Sequence, residues 1–226
     1  MNKQKPNNAG EQQEIPPTIY IVDDDDAFRD SLVGLFRSVG LQARSFRSAK
    51  DFLEDKQADC SGCLVLDVRL PGVSGLDFQA ELEKTGIHLP IVFITGHGDI
   101  PMSVKAMKAG AIEFLTKPVR EQDLLDAVQT AVERSRIQRQ HQKHLEDLKK
   151  KFSELTIREQ EVFRLVAAGL MNKQIAAELG VSEITVKIHR GNMIRKMGAK
   201  SLADLVRKAD LLNLGGSYPL TAKTTL

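Results

Sequence analysis

Four short apolar runs in the N-terminal half each end in a charged or hydroxyl-bearing residue, and this recurrence restricts the fold more than any other feature. Thr18-Ile19-Tyr20-Ile21-Val22 runs into Asp23 and Asp24, Cys63-Leu64-Val65-Leu66 ends in Asp67, and Ile91-Val92-Phe93-Ile94 ends in Thr95. Residues 111–115 run into Thr116-Lys117-Pro118. Leu and β-branched residues in runs of this length fit strands buried on both faces of a parallel sheet, and such sheets place their sites beyond the carboxyl ends of the strands. The intervening segments have helical spacing. Phe28, Leu32, Leu35, Phe36 and Val39 precede Gly40; after a short strand at 42–46, Ser48 caps a helix through Leu53; Ser74 opens a helix carrying Leu76, Phe78 and Leu82. A further helix opens at Ile100-Pro101 and stops at Gly110, and another runs from about Glu121 beyond Val132. Five strands alternating with five helices predict an α/β fold with a five-stranded parallel, doubly wound sheet.

The polar groups at the strand ends are the candidate site. Asp67 alone reads as a solvated carboxylate at the lip of a crevice. The run of Asp23, Asp24, Asp25 and Asp26 has two readings: a solvated turn leading into a helix N-terminus, which favours acidic residues, or a first pair that points into the crevice and holds a divalent cation. Taken together, Asp23, Asp24 and Asp67 make a set that could bind Mg²⁺, while Thr95 and Lys117 supply donors to anionic oxygens arriving at Asp67.

A chain of 226 residues is long enough for two domains, and its charge divides between them. Residues 1–133 carry 14 basic and 21 acidic residues, 134–151 carry 7 and 2, and 152–226 carry 11 and 7. The halves are thus −7 and +9, which points the second toward a polyanion. Cys60 and Cys63 lack the second ligand pair of a structural zinc and read as thiols in a reducing compartment. No run approaches the roughly 20 apolar residues that span a bilayer, and residues 1–14 lack a signal-peptide core. A soluble cytoplasmic protein with no membrane partner is expected.

Residues 134–151 read as a helical linker in which Ile137, His141, Leu145, Leu148 and Phe152 form a narrow seam. The seam fits a paired helix in a dimer, a single extended helix or a mobile linker. Beyond it, Thr156-Ile157-Arg158-Glu159 is a capping box opening a helix with Val162, Leu165 and Val166 inward. Asn172 is expected to cap a short helix with Ile175, Ala176 and Leu179, Gly180 turns the chain, and Ser182 caps a helix from Glu183 to about Met197. These two helices make a helix-turn-helix. Ser201 caps a last helix through about Leu212. In the Glu183 helix, Ile184, Ile188 or Val186, Met193 and Met197 are available for packing, leaving Thr185, Lys187, His189, Arg190, Asn192 and Arg195 as polar groups.

With these motifs in order, residues 18–133 resemble the receiver domain of bacterial two-component response regulators. Residues 152–212 resemble the LuxR-type helix-turn-helix DNA-binding domain of FixJ and NarL regulators, through Leu155-Thr156, Arg158-Glu159, Gly169, Asn172-Lys173, Ile175-Ala176 and Thr185-Val186-Lys187. The implied architecture is a receiver domain at 18–133, a helical linker at 134–151, an all-α DNA-binding domain at 152–212, and flexible tails at 1–17 and 213–226. The resemblance implies that Asp67 accepts a phosphoryl group, that Asp23, Asp24, Asp67 and the backbone carbonyl of Arg69 hold Mg²⁺ or another divalent cation, and that Thr95 and Lys117 contact the phosphoryl group. Phe114 falls at the family's rotating aromatic switch position, working with Thr95; an ordinary core Phe is the other reading. Lys117-Pro118 falls where the family has a cis peptide. In the second domain the resemblance places Lys187 and Ile188 at base edges, and Lys173, Thr185, His189 and Arg190 near phosphates. Gly191 departs from NarL-like members, which carry a long basic residue there.

The implied protein is a DNA-binding response regulator, not an enzyme beyond phosphoryl transfer to itself and slow loss of that group. A sensor histidine kinase would phosphorylate Asp67, a homodimer would form, and double-stranded DNA would be bound to control transcription as an activator, with RNA polymerase as a further partner. Two rivals remain at this stage: a phosphoryl sink whose basic domain binds a protein, and a constitutive DNA binder with an unused receiver.

Overall fold

The structure is a computed structural model that describes residues 16–55, 61–96 and 99–214. Cys60 and most of both expected tails, residues 1–15 and 215–226, lie outside the described residues. The chain divides into two compact units, Met1–Arg139 and Gln140–Leu226. No helix among the described residues is long and apolar enough to cross a membrane.

In the first unit the elements are β1 Thr18–Val22, α1 Asp26–Ser38, β2 Gln42–Phe46, α2 Ala49–Glu54, β3 Gly62–Asp67, α3 Gly75–Thr85, β4 Ile91–Thr95, α4 Ile100–Lys108 and β5 Glu113–Thr116. They are followed by α5, Glu121–Ser153, which extends into the second unit. The strands form one all-parallel sheet in the order β2-β1-β3-β4-β5. Alternation along the strands sends side chains into two cores. Ile19, Ile21, Val65, Val92 and Ile94 pack with Leu32 and Phe36 of α1 and with Leu124 and Val128 of α5. Tyr20, Val22, Leu64, Leu66 and Phe93 pack on the other face with Phe52, Phe78, Leu82 and Ala106 of α2, α3 and α4. Each such aliphatic or aromatic side chain contributes about 1.5–3 kcal/mol on burial, so the central strands are anchored from both sides.

Two glycines set the ends of β3. Gly62 has φ +127°, and a Cβ there would lie 1.9 Å from the carbonyl oxygen of Thr18. At Gly75, where α3 begins, a Cβ would lie 2.3 Å from the carbonyl oxygen of Asp67. Neither position has room for a side chain, so β1 and β3 approach closely at the amino end of β3, and α3 starts tightly against its carboxyl end at Asp67.

One expectation for this unit changes and another narrows. The fifth strand is Glu113–Thr116 rather than 111–115, because the Ala111 amide turns back to the Ala106 carbonyl (3.1 Å) and closes the end of α4 after Gly110. The stretch read as a helical linker, 134–151, takes the extended-helix form among its three readings and is continuous with α5, since no glycine or proline interrupts 121–153. The seam is also used differently along its length. Leu148 is buried and Phe152 packs on Phe163 with ring centroids 5.4 Å apart, so both belong to the core of the second unit, whereas Ile137 is exposed.

The second unit comprises the last part of α5 with α6 Ile157–Ala167, α7 Asn172–Leu179, α8 Glu183–Met197 and α9 Leu202–Leu211. Thr156 and Glu159 form the expected capping box, with the Thr156 amide donating to Glu159 Oε2 at 2.9 Å. Asn172 does not cap α7. It is the first helical residue; the Met171 amide donates to Gln174 Oε1 at 2.8 Å, and Asn172 Oδ1 accepts from Arg190 Nη1 at 2.9 Å. The side chain expected to cap α7 instead ties α7 to α8. Ser182 caps α8 through the Thr185 amide. Val186, Met193 and Met197 are the inward residues of α8, while Ile184 and Ile188 stay exposed because the core is already filled on the opposite face.

Candidate functional site

The strand order explains how residues 44 apart in sequence become neighbours. In β1 and β3, Val22 is in register with Leu66, so Asp23 and Asp67 emerge side by side at the carboxyl ends of adjacent strands. The sheet order reverses direction between these strands, opening a crevice of the kind where open α/β folds bind ligands. Thr95 ends β4 opposite Thr116, and its carbonyl accepts from the Lys117 amide at 2.8 Å, which carries Lys117 into the same crevice. The Lys117-Pro118 peptide is cis.

Asp23, Asp67 and Thr95 are buried, whereas Asp24 is exposed at the rim. One carboxylate oxygen from each of Asp23, Asp24 and Asp67 lies within 4.8 Å of the others. Lys117 Nζ donates to Asp23 Oδ2 at 2.6 Å and to Asp67 Oδ2 at 2.9 Å. The remaining oxygens are held by local backbone: the Asp25 amide donates to Asp23 Oδ1 and the Arg69 amide to Asp67 Oδ1, both at 2.9 Å. Burial pushes the Asp23 carboxyl above its ordinary range, against the opposing pull of Lys117 and the Asp25 amide. For Lys117, burial acts downward, but the hydrogen bonds to Asp23 and Asp67 outweigh it and raise its pKa. The ammonium therefore stays charged.

One ammonium does not neutralise three carboxylates. Two such charges less than 5 Å apart repel by about 3–4 kcal/mol at an effective dielectric near 20. A divalent cation with oxygen preference relieves that repulsion, and three converging carboxylate oxygens match its ligand chemistry. The cluster fits such an ion.

The four-Asp run divides between its two readings. Asp23 enters the crevice with Asp24 at its edge, whereas Asp25 is the N-cap of α1, accepting from the Phe28 amide at 3.1 Å, and Asp26 pairs with Arg29. Two neighbours of the site escape sequence reasoning. Arg29 Nη1 donates to the Asp23 carbonyl at 2.5 Å, and the Phe28 ring lies 4.1 Å from Lys117 Nζ. Phe28 was legible only as an apolar helix residue; its cation–π contact joins α1 to the loop after β5, which no local spacing encodes. Phe114 is half-buried against Phe93, with centroids 6.2 Å apart. Cys63 is fully buried and its thiol is pushed up to about 12 by that burial, so it supplies no thiolate.

In the second unit, Lys173, Lys187 and Ile188 are exposed, while Thr185, His189 and Arg190 are half-buried. Thr185 Oγ1 lies 2.9 Å from Ser182 Oγ at the start of α8, and Arg190 is held by Asn172. The structure therefore brings the six residues onto α8 and the beginning of α7. Glu159 sits in the interior of this unit, where burial acts to raise its pKa but the Lys196 ammonium, at 2.7 Å, and the Thr156 amide outweigh it and hold the carboxyl below its usual range.

Comparison with known proteins matches both units. Residues 19–129 match the response regulator receiver domain family, and residues 153–209 match the family described as bacterial regulatory proteins, luxR family. Nodulation protein W of Bradyrhizobium diazoefficiens is 56% identical over 200 residues, covering 88% of each chain. Response regulator protein TmoT of Ectopseudomonas mendocina is 50% identical over 194 residues, covering 86% of this chain and 88% of the relative. Among solved structures, the response regulator StyR aligns with a TM-score of 0.77 and 49% identity, covering 87% of this chain and 99% of that one.

Proposed function

Because the chain belongs to the response regulators that join a receiver domain to a LuxR-type DNA-binding domain, we propose that it works as a phosphorylation-controlled transcription factor whose phosphoacceptor is Asp67. The family implies a kinase partner on one side and DNA on the other. The observation that carries the proposal is the Lys117 ammonium bridging Asp23 and Asp67 in a crevice that remains anionic.

In the proposed reaction an Asp67 oxygen attacks the phosphorus of a phosphohistidine on the sensor kinase. The new P–O bond forms as the donor's P–N bond breaks, and the leaving imidazole takes up a proton. Carboxylates are weak nucleophiles, so positioning and charge compensation supply most of the catalysis. Asp23, Asp24, Asp67 and the Arg69 carbonyl would hold Mg²⁺, which when bound offsets charge on the phosphoryl oxygens. Lys117 keeps its ammonium beside Asp67 and can donate to a phosphoryl oxygen, with the Thr95 hydroxyl as a second donor. Drawing Thr95 toward that group opens space for Phe114, which is only half-buried, to turn inward. This local charge event biases the face formed by α4, β5 and α5 toward a homodimer.

Pairing two basic C-terminal domains raises DNA affinity through effective concentration. Lys187 and Ile188 face base edges in this reading, and Lys173, Thr185, His189 and Arg190 lie along the phosphates. The regulator acts in the cytoplasm as an activator that works with RNA polymerase. The test combines incorporation of phosphate from a phosphorylated kinase with light scattering. Wild type is expected to take up one acid-labile phosphate and to pair when treated with Mg²⁺ and beryllofluoride. Uptake undiminished in Asp67→Asn would overturn the assignment, and a protein that stays monomeric would overturn the coupling.

A further inference from the structure

Helix α8 is apolar on two opposite sides, and the fold uses only one of them. At about 100° per residue, Val186, Met193 and Met197 share the face turned to the core, where all three are fully buried. Ile184, Ile188 and Gly191 fall within about 60° of one another on the face turned about 180° away. Ile184 is 71% exposed and Ile188 58% exposed. Gly191 lies on the same outward line, and a Cβ built there meets nothing within 4 Å, so no neighbouring element of the fold requires a glycine. A glycine inside a helix is less favourable than alanine by about 1 kcal/mol, which leaves close approach from outside as its physical use. The stripe continues to Arg195 and is flanked by Lys187, both exposed.

We infer that Ile184, together with Ile188, forms a thymine-reading stripe: the two side chains pack against the C5-methyl groups of thymines in the major groove. The inference rests on the proposed DNA-binding role of α8 and goes further, since it adds Ile184 as a specificity residue and names the base chemistry it reads. Four considerations select DNA as the occupant. The stripe lies on α8, the helix proposed above to read DNA, in a unit that matches the luxR family of bacterial regulatory proteins. It is bordered by cationic side chains that suit a polyanion. Ile184 is the second residue of α8, and the N-terminal residues of such helices are the ones that reach base edges. The methyl of thymine is the one apolar group that the major groove displays. Ile184 and Ile188 are separated by about 6 Å along the helix axis, close to two base-pair steps of about 3.4 Å each, so the stripe spans thymines at nearby positions of one half-site.

The experiment uses the full chain, activated with Mg²⁺ and beryllofluoride, and a duplex enriched from a random library by that protein. Each thymine of the half-site is replaced singly by deoxyuridine, which removes only the methyl group. Replacement at the contacted positions is expected to weaken binding about fourfold per methyl. Ile184→Ala is expected to weaken binding to the thymine site by a similar factor and to abolish the effect of one deoxyuridine position while leaving the other. Because Ile184 is exposed, the variant keeps its thermal midpoint, and the deoxyuridine series on wild type needs no variant at all. Sequence-selective binding that is indifferent to every deoxyuridine overturns the stripe but leaves the DNA-binding role intact. Equal losses for Ile184→Ala on thymine and deoxyuridine sites overturn it too, assigning the residue to another partner. No selective binding to any duplex overturns both readings.

Discussion

Each unit contains a buried carboxylate held by a lysine, and the two arrangements differ in one respect that separates chemistry from folding. In the second unit Glu159 has one ammonium partner, Lys196, and the same carboxylate closes the capping box of α6. Charge is balanced one to one. In the first unit Lys117 is shared between Asp23 and Asp67, and Asp24 stands close enough to add a third negative charge. That site is left anionic inside a crevice, a condition that costs stability and that, in the function proposed above, suits a cation and a phosphoryl group. A neutral buried pair reads as a fastening; an unbalanced one reads as a site.

The largest expected effect tests the unbalanced side. Asp67→Asn is expected to abolish phosphate uptake while leaving unfolding of the first unit unchanged or slightly harder, because one of three repelling carboxylates is gone. Phosphate incorporation and peptide-resolved hydrogen exchange read the two effects in one preparation. Destabilisation of the β3 end would break the comparison, since Asp67 would then be a fastening as well. Next in size, Glu159→Ala is expected to destabilise the second unit by about 2 kcal/mol, the sum of a lost cap and a lost partly buried charged hydrogen bond. Hydrogen exchange should accelerate in α6 and α8 but not in β1 or β3. If Glu159→Ala leaves exchange unchanged, the pair is no fastening.

These contrasts also indicate what a sequence can display. The sheet was legible because Ile19, Val65 and Val92 belong to continuous apolar runs, and the strand-end residues followed from them. The sequence signals the edge strand two residues early, because Ala111 and Ile112 have the composition of a strand but spend their amides on α4 and on Ile91. The site was legible as a set of residue types, since carboxylates, a hydroxyl and a lysine follow strand ends in order. What stayed hidden depends on contacts distant in sequence: Phe28 over Lys117, Arg29 on the Asp23 carbonyl, Asn172 with Arg190, and Glu159 with Lys196. Glu159 was recognisable as half of a capping box, yet its ion pair spans 37 positions. Local spacing reports a cap; only the tertiary fold brings the lysine.

Added Mg²⁺ sharpens the comparison at a smaller scale. At a concentration tenfold above its dissociation constant, an ion that binds only the folded state stabilises it by about 1.4 kcal/mol. Protection should rise at the β1 and β3 ends and not in α6 or α8, and Asp23→Asn should remove the response. A uniform rise in both units would mean that the ion acts on the chain in general and that the carboxylate cluster has no special affinity.

Acid supplies the smallest effect, and its sign distinguishes a fastening from a surface charge. Glu159 has a folded pKa below its ordinary value of 4.5, because the Lys196 and Thr156 hydrogen bonds outweigh the upward push of burial. The unfolded chain therefore binds a proton at higher pH than the folded unit does. The pair's contribution is fully present above pH 4.5 and is lost as the pH falls from there through the lower folded value. Hydrogen exchange in α6 and α8, corrected for intrinsic rates, should thus show no Glu159-dependent change between pH 7 and about 5.5. Below that, wild type should lose protection faster than Glu159→Gln, which cannot titrate and starts from a lower stability. If the two proteins converge instead near neutral pH, the stabilisation attributed to Glu159 comes from some other group, and the balanced pair loses its role as the structural counterpart of the Asp67 crevice.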